Sequence, residues 1–164
     1  MSLIESVLVP ITLGAVLTCG LVAGLLFAFS NFVMRALGSI RASAGIAAMQ
    51  AINVEVQNPV FFTVFFGAAV LSIVLACFAL ARWHHSSSVW LLTGATLYLT
   101  GGIVVTVLRN VPLNNALATV DASSPEAIAL WRDYFAKWNR WNHVRTLATL
   151  LATAAFAIAL CRHV

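Results

Sequence analysis

The sequence predicts an all-α integral membrane protein, a four-helix bundle in a single domain covering residues 1–164. Two observations carry this prediction. Hydrophobic residues make up 62% of the chain and charged residues only 9%, with a mean hydropathy of +0.97, far beyond soluble domains. Long uncharged runs approach or exceed the roughly 20 residues that a helix needs to cross a membrane. We place the four spans at about residues 6–33, 58–81, 87–109 and 140–161.

The first span is too long, and too poor in basic residues at its start, to be a cleaved signal peptide. The more polar segment 40–57 predicts an extra interfacial helix between spans 1 and 2. Its amides Gln50, Asn53 and Gln57 recur at helical spacing and form a stripe along one face. This stripe is either a solvated face or a hydrogen-bonding wall that faces the polar start of span 4.

The two histidines after span 2 and the three cysteines do not suggest a metal site. His84 and His85 are adjacent, so they point in different directions on a helix. Cys19, Cys77 and Cys161 each lie alone in an apolar run, which is typical of small buried hydrophobic residues. We therefore predict no metal.

The end of span 3 carries amides next to a proline. Pro112 disfavours the helical conformation of Val111, so the helix should end near Arg109 or Asn110. Asn110 and Asn114 would then present their amides from irregular backbone. Simple turn chemistry explains the same residues, because Asn and Pro both favour turns.

An extended amphipathic helix is predicted to lead into span 4, capped by Ser123 or Ser124 with Pro125 in its first turn. It carries the segment WRDYFAKWNRWNHVRT, residues 131–146. At about 100° per residue, one face collects the following side chains: Trp131, Tyr134, Phe135, Trp138, Trp141, Asn142 and Arg145. Such a face either packs or lies at headgroup level, or it forms a site for a flat aromatic ligand. The amide and the guanidinium favour the ligand site, because polar groups in a membrane must be satisfied at a cost.

The distribution of basic residues predicts the orientation. The loops after spans 1 and 3 share one side, which is rich in Arg and Lys, whereas the other side holds only Arg82 and Arg162. The positive-inside rule places the rich side in the cytoplasm and both termini outside, in the inner membrane of a bacterium. The basic residues flank spans instead of forming a patch, so nucleic acid is not a predicted partner. The predicted partners are a hydrophobic small molecule, membrane lipid and a second copy of the chain.

Three segments resemble the anthrone oxygenase-like family of small four-helix membrane proteins, formerly a domain of unknown function. They are AMQAINVEVQNPVF at residues 48–61, RNVPLNNAL at residues 109–117, and the segment at residues 131–146. The resemblance covers almost the whole chain. Fungal members oxidise an anthrone to an anthraquinone with dioxygen and without a bound cofactor. The resemblance therefore implies a cofactor-independent oxygenase that acts on a hydrophobic anthrone-like or phenolic compound.

The chemistry that this implies needs few groups. Loss of an acidic C–H from an anthrone gives an aromatic anion that reacts with dioxygen, so the site needs a base, donors to an oxyanion and a dry aromatic slot. We predict three catalytic residues, with His143 as the base and Asn142 and Arg145 as donors. His143 lies about 100° around the helix from Asn142, so the two share a pocket only from separate walls. The predicted substrate-binding residues are Gln50, Asn53, Asn110, Asn114, Tyr134, Trp138 and Trp141.

A second interpretation assigns no chemistry to these residues. The protein would then bind a lipid or a quinone-like ligand, or serve as a subunit of a larger membrane complex, with the same aromatic face as the contact. A transporter is disfavoured, because four short spans leave little room for alternating access.

Arg145 carries a prediction of its own. The uncharged run behind it has only 16 residues, about 24 Å of helix against a hydrocarbon core of about 30 Å. Arg145 is therefore drawn toward the membrane. We expect it to turn into the bundle and to be held by Glu55, Asn53 or Asn110, with snorkelling to the headgroups as the alternative.

Overall fold

The computed structural model describes residues 3–162, and every regular element among them is helical, as the sequence predicts. The α-helices are α1 (Leu3–Ala28), α2 (Met34–Ser39), α3 (Ala42–Glu55), α4 (Pro59–Ala81), α5 (Ser88–Leu97), α6 (Val111–Ala118) and α7 (Pro125–Cys161). Three π-helical segments accompany them: π1 (Phe29–Val33), π2 (Tyr98–Val104) and π3 (Thr106–Asn110).

Four helical stretches of the described chain are long and apolar enough to cross a membrane. They run over Ser6–Ser39, Pro59–Ala81, Ser88–Ala118 and Pro125–Cys161, and we call them spans 1 to 4. Span 1 packs against spans 2 and 4, and span 3 packs against the same two, so each span contacts two neighbours. The arrangement is consistent with a membrane helical bundle. Many large apolar side chains, such as Leu17, Leu21 and Leu80, are exposed on its outside.

The interior of the bundle is built largely from small side chains. Ala15, Ala68, Ala152 and other alanines are fully buried beside a few large residues such as Phe156. Spans 3 and 4 approach closely at Gly101, where a Cβ atom would overlap the Cβ of Ala148. Tight backbone approach of this kind is how membrane helices gain packing energy without a hydrophobic driving force.

The predicted helix starts are confirmed at spans 2 and 4. The side chain of Asn58 accepts a hydrogen bond from the Phe61 N–H, and Pro59 occupies the first turn. The side chain of Ser124 accepts from the Ala127 N–H in the same way. Helix α7 then continues for 37 residues without a break, so the lead-in and span 4 are one helix.

The predicted end of span 3 near Asn110 is wrong. The helix continues through Pro112 to Ala118, and Asn110 and Asn114 lie in helical backbone. The Val111 N–H bonds to the Thr106 carbonyl five residues back, so the turn before Pro112 is wider than an α-helical turn. The proline ring lacks an N–H and crowds a regular α-helical turn, so we attribute the continuation to this wider pairing.

The amide stripe on α3 is neither of the two predicted surfaces. Gln50 donates to the carbonyls of Leu117 and Val120, at 2.8 and 3.0 Å, so it ties α3 to the end of α6. Gln57 is exposed and lies beyond the end of α3, where it bonds back to the Asn53 carbonyl. No part of the stripe forms a continuous wall toward Arg145.

The cysteines also depart from expectation. Cys19 is buried in the core, as predicted, but Cys77 and Cys161 are exposed. Both of these lie on outer faces of spans 2 and 4, where a weakly polar thiol tolerates an apolar environment.

Candidate functional site

Two faces of α7 meet the neighbouring spans at the same level of the bundle. We call the first the interior face, formed by Asn142, Arg145 and Thr149, all buried. We call the second the groove face, formed by His143, Thr146, Leu147 and Leu150. The two sets alternate along the sequence and are separated only by the turn of the helix.

Arg145 lies inside the bundle with 7% of its surface exposed, which confirms that it turns inward. Its Nη1 donates to Thr106 Oγ1 at 3.1 Å and its Nη2 to Asn142 Oδ1 at 2.6 Å. The guanidinium carbon also lies 5.3 Å from the centre of the Trp138 ring, within the range of a cation–π contact. The predicted partners of Arg145 were therefore wrong.

The physical reason lies in where those predicted partners are placed. Glu55 is exposed at the end of α3. Asn110 donates its amide to the Trp138 carbonyl at 3.3 Å. Thr106, at the start of π3, takes the place that we expected an amide or a carboxylate to fill.

Asn142 is fully buried and all its amide hydrogen-bonding groups are engaged. Its Nδ2 donates to the Leu26 carbonyl at 2.9 Å and to Ser30 Oγ at 2.8 Å, while its Oδ1 accepts from Arg145. An amide NH₂ has two hydrogens, and both are used. Asn142 therefore joins span 1 to the buried guanidinium and has no free donor for a ligand.

The groove face borders a groove of about 320 Å³ between spans 1 and 4. Its lining consists of Phe27, Ser30, Asn31, His143, Thr146, Leu147 and Leu150. Ser30 and Asn31 belong to π1, and π-helical turns within α-helices often occur at functional sites. Phe27 and Leu147 are more than half exposed, so the groove opens on the outside of the bundle.

The two hydroxyls in the groove are 3.0 Å apart, between Ser30 Oγ and Thr146 Oγ1. Thr146 donates its single hydrogen to the Asn142 carbonyl at 2.8 Å. Ser30 is therefore the donor in the hydroxyl pair, because a hydroxyl has one hydrogen and two lone pairs. Ser30 accepts from Asn142 at the same time, and its own hydrogen reaches a ligand only by turning away from Thr146.

The aromatic residues of the lead-in pack on one another. Trp131 and Tyr134 stack with ring centres 5.4 Å apart, and Tyr134 and Trp138 follow at 6.3 Å. The Tyr134 hydroxyl and the Trp138 Nε1 both donate to Asn114 Oδ1, at 3.0 and 2.9 Å. Asn114 thus accepts from both Tyr134 and Trp138, and these two bonds join α6 to the stacked aromatic residues of α7.

Trp141 lies apart from the stacked residues Trp131, Tyr134 and Trp138. It is half-buried, with the guanidinium carbons of Arg109 and Arg140 at 4.8 and 5.9 Å from its ring centre. Its neighbours are therefore exposed cations, not the buried network of Arg145.

The predicted site residues fall into separate places. Asn142 and Arg145 come together, as do Tyr134, Trp138 and Asn114, whereas His143 faces the groove and Gln50 faces the end of α6. Five buried side-chain atoms of the described residues have no hydrogen-bond partner, and three of them belong to predicted site residues: Asn53 Nδ2, Asn110 Oδ1 and Arg145 Nε.

Ser30, Thr106 and Thr146 were not predicted as site residues. The available signal was a hydroxyl within an otherwise apolar span, which is weak because Ser and Thr also bond to their own helix backbone.

Electrostatically the site is a buried positive charge. Where side chains are described, Glu55, Asp121, Glu126 and Asp133 are all exposed, and the ion pair found there joins Lys137 to Asp133 at 2.9 Å. Within residues 3–162, no three His, Cys, Asp or Glu side chains are grouped so that they could hold a metal ion.

Comparison with known families adds one finding. A sequence model of the family described as anthrone oxygenase matches residues 61–155, which is more than half of the chain. The match runs from the second span into the fourth and includes Asn142, His143 and Arg145. No curated protein and no solved structure matched the chain.

Proposed function

The chain belongs to the anthrone oxygenase family, and on this premise we propose that it is a cofactor-independent oxygenase acting on a hydrophobic anthrone-like or phenolic compound. The observation that carries the proposal is the groove between spans 1 and 4. There the His143 imidazole, the Ser30 hydroxyl, which can turn away from Thr146, and apolar walls line one opening.

The volume and the apolar lining of the groove suit a hydrophobic aromatic compound. Its volume of about 320 Å³ lies at the lower end of the roughly 300–1,000 Å³ that small-molecule sites occupy. Phe27, Leu147 and Leu150 supply an apolar surface, and each is exposed on the outside of the bundle. A hydrophobic substrate would therefore enter sideways from the bilayer and not from water.

The reaction assigned to the groove begins with proton transfer. His143 removes a proton from the CH₂ group opposite the anthrone carbonyl, and the negative charge spreads to the carbonyl oxygen. The Ser30 hydroxyl turns from Thr146 and donates to that oxygen. The carbanion then reduces dioxygen and combines with it, and the imidazolium protonates the resulting peroxide. Loss of water breaks the O–O bond and the second C–H bond, leaving the quinone carbonyl.

Asn142 and Arg145 act as positioning residues in this proposal. Arg145 donates to Asn142, and Asn142 donates to Ser30, so a chain of hydrogen bonds runs from the charge to the groove. Such chains polarise each member, which makes the Ser30 hydroxyl a stronger donor. In this proposal Asn142 and Arg145 do not donate to the substrate themselves, but strengthen the hydrogen bond that Ser30 donates to it.

We also propose that α3 is an interfacial helix and that the end of the bundle bearing the groove faces the cytoplasm of a bacterium, with both termini outside. The support is the excess of Arg and Lys at that end. Membrane lipid would then surround the spans, and a second copy of the chain is a candidate partner.

The test is an oxidation assay with the purified protein in nanodiscs. Anthrone and dioxygen are supplied, and quinone absorbance is followed against the spontaneous rate in empty nanodiscs. His143→Ala should abolish the enzymatic rate with little change in stability, because His143 is exposed. His84→Ala, an exposed histidine on the other side of the bundle, is the matched control and should keep the rate. No rate above the spontaneous one with several polycyclic substrates would overturn the proposal.

The alternative is a binder of a lipid or a quinone-like ligand without chemistry. Its support is that the groove walls are mostly apolar and open to the outside. Measuring ligand affinity beside turnover separates the two: an enzyme loses turnover but keeps affinity in His143→Ala. A parent protein that binds anthraquinones tightly and never oxidises an anthrone would favour the binder.

A further inference from the structure

Arg145 is a buried cation, and no side chain that the structure describes is its counter-ion. It is 7% exposed, and none of the four acidic residues whose side chains are described is buried near it. Its contacts are two neutral hydrogen-bond acceptors and the face of Trp138. A charge in a membrane interior is costly unless an opposite charge or a full set of hydrogen bonds compensates it.

The hydrogen bonds around Arg145 are also incomplete. Its Nε is buried and donates to no protein group. Among the described side chains no carboxylate is paired with the guanidinium. A site with one uncompensated positive charge is suited to a ligand that brings a negative one.

The groove is where that ligand would lie. Asn142 links the guanidinium to Ser30 through bonds of 2.6 and 2.8 Å, and Ser30 lines the groove. We propose that the groove binds its ligand as an anion, the ionised phenol or enol of a polycyclic aromatic compound, with Arg145 as the balancing charge. The inference rests on the groove being the ligand site proposed above, but it does not require turnover.

Other ionisable groups lie at this end of the bundle. They are Arg35, Arg41, Glu55, Arg109, Asp121, Glu126, Arg132, Asp133, Tyr134, Lys137, Arg140 and His143. The arginines, the lysine and the acids among them are exposed, so water screens them, and Tyr134 is engaged with Asn114. His143 is the one competitor inside the groove, so the test must separate it from Arg145.

The experiment uses 2-hydroxyanthraquinone, a tricyclic phenol that has no CH₂ group to oxidise and changes colour when it ionises. Its absorbance is titrated against pH in nanodiscs with and without the protein. The apparent pKa of the bound phenol should fall by at least one unit, a tenfold shift toward the anion. The affinity for 2-methoxyanthraquinone, which cannot ionise, should not depend on Arg145.

Variants assign the shift to its source. Arg145→Met should abolish the shift, whereas Arg145→Lys, which keeps the charge, should retain most of it. Arg132→Met removes an exposed arginine from the opposite face of α7 and should leave the shift intact. His143→Ala should leave it intact as well, and loss of the shift in His143→Ala alone would overturn the assignment to Arg145.

The outcomes separate this inference from the proposed oxygenase. If the parent protein binds 2-hydroxyanthraquinone as the neutral phenol, the inference fails even where anthrone is oxidised. A lowered pKa without any oxidation of anthrone supports the inference and defeats the oxygenase. No binding of either probe also overturns the inference. If Arg145→Met does not fold, the parent and His143→Ala titrations still decide it, because a shift that survives loss of the imidazole has the guanidinium as its source.

Discussion

The interior face and the groove face of α7 differ in how their polar groups are used. Arg145 and His143 are two residues apart, yet one is buried between spans and the other is exposed. On the interior face the Asn142 amide joins Arg145 to span 1, whereas the hydroxyl that meets the groove face from span 1, that of Ser30, donates to Thr146 and can turn from it toward a ligand. The comparison teaches that one contiguous motif can supply both the support of a site and its reactive groups.

The largest expected effect comes from breaking the interior face at Asn142. Asn142→Leu leaves Arg145 Nη2 buried without its acceptor and removes the two bonds that tie α7 to Leu26 and Ser30 of span 1. We expect a loss of about 2–3 kcal/mol in the free energy of unfolding. Unfolding by SDS in mixed micelles measures it, with exposed Asn115→Leu as control. Equal stabilities of the two variants would show that the interior network contributes nothing.

A second break acts on the distance between spans 3 and 4. Gly101→Ala places a methyl group against Ala148 and should cost about 1–3 kcal/mol through overpacking. Gly67→Ala is the matched control, because a Cβ at Gly67 meets no atom within 4 Å. Alanine also favours helix, so the control should be neutral or slightly more stable. The same unfolding assay compares them, and a stable Gly101→Ala would contradict the close approach.

Arg145→Lys tests the interior face by keeping the positive charge while removing the planar guanidinium and its paired N–H donors. Lysine lacks the planar group that reaches Thr106 and Asn142 together, so stability should fall by about 1 kcal/mol and turnover should fall with it. Thermal unfolding in detergent and the oxidation rate at saturating substrate are the measurements. Exposed Arg132→Lys is the control. A lysine variant that matches the parent in both would show that Arg145 only snorkels.

The smallest effect on stability is expected where the two faces meet, at Ser30. Ser30→Ala removes the acceptor of one Asn142 N–H at the border of the groove and should cost about 1 kcal/mol, the low end for a single neutral donor left without its partner. Its oxidation rate should nevertheless fall about 100-fold, since an oxyanion donor is lost. Ser39→Ala, at an exposed serine that bonds only within its own helix, serves as control for both measurements. An unchanged rate in Ser30→Ala would remove Ser30 from the reaction.

Hydropathy and local rules predicted much of this architecture. The four spans, the cap at Ser124 and the inward turn of Arg145 all follow from composition or from neighbours along the chain. The predictions that failed depend on backbone geometry or contacts that rules for neighbouring residues do not cover. Pro112 ended the predicted helix because single-sequence rules do not include a π-helical turn.

The site itself was predicted as a set of residues and not as an arrangement. Helical periodicity placed Trp138, Asn142 and Arg145 on one face correctly, and all three are buried. The same periodicity grouped Trp141 with them, but the structure places it between two exposed arginines. Ser30 is remote in sequence from the motif, so no local pattern brings it to Thr146.

The π1 segment means that span 1 carries extra chain length at the groove. In π1 the Met34 N–H bonds to the Phe29 carbonyl five residues back, which adds the equivalent of one inserted residue to a helix. Deleting one residue of π1, for example Asn31, would restore the regular α-helical repeat, with the turns before and after it keeping their facing, and would remove Asn31 from the groove lining. We expect that variant to stay helical and to lose 2-hydroxyanthraquinone binding, and retained binding would contradict this. The groove would then depend on the count of residues before α2 as much as on their identity.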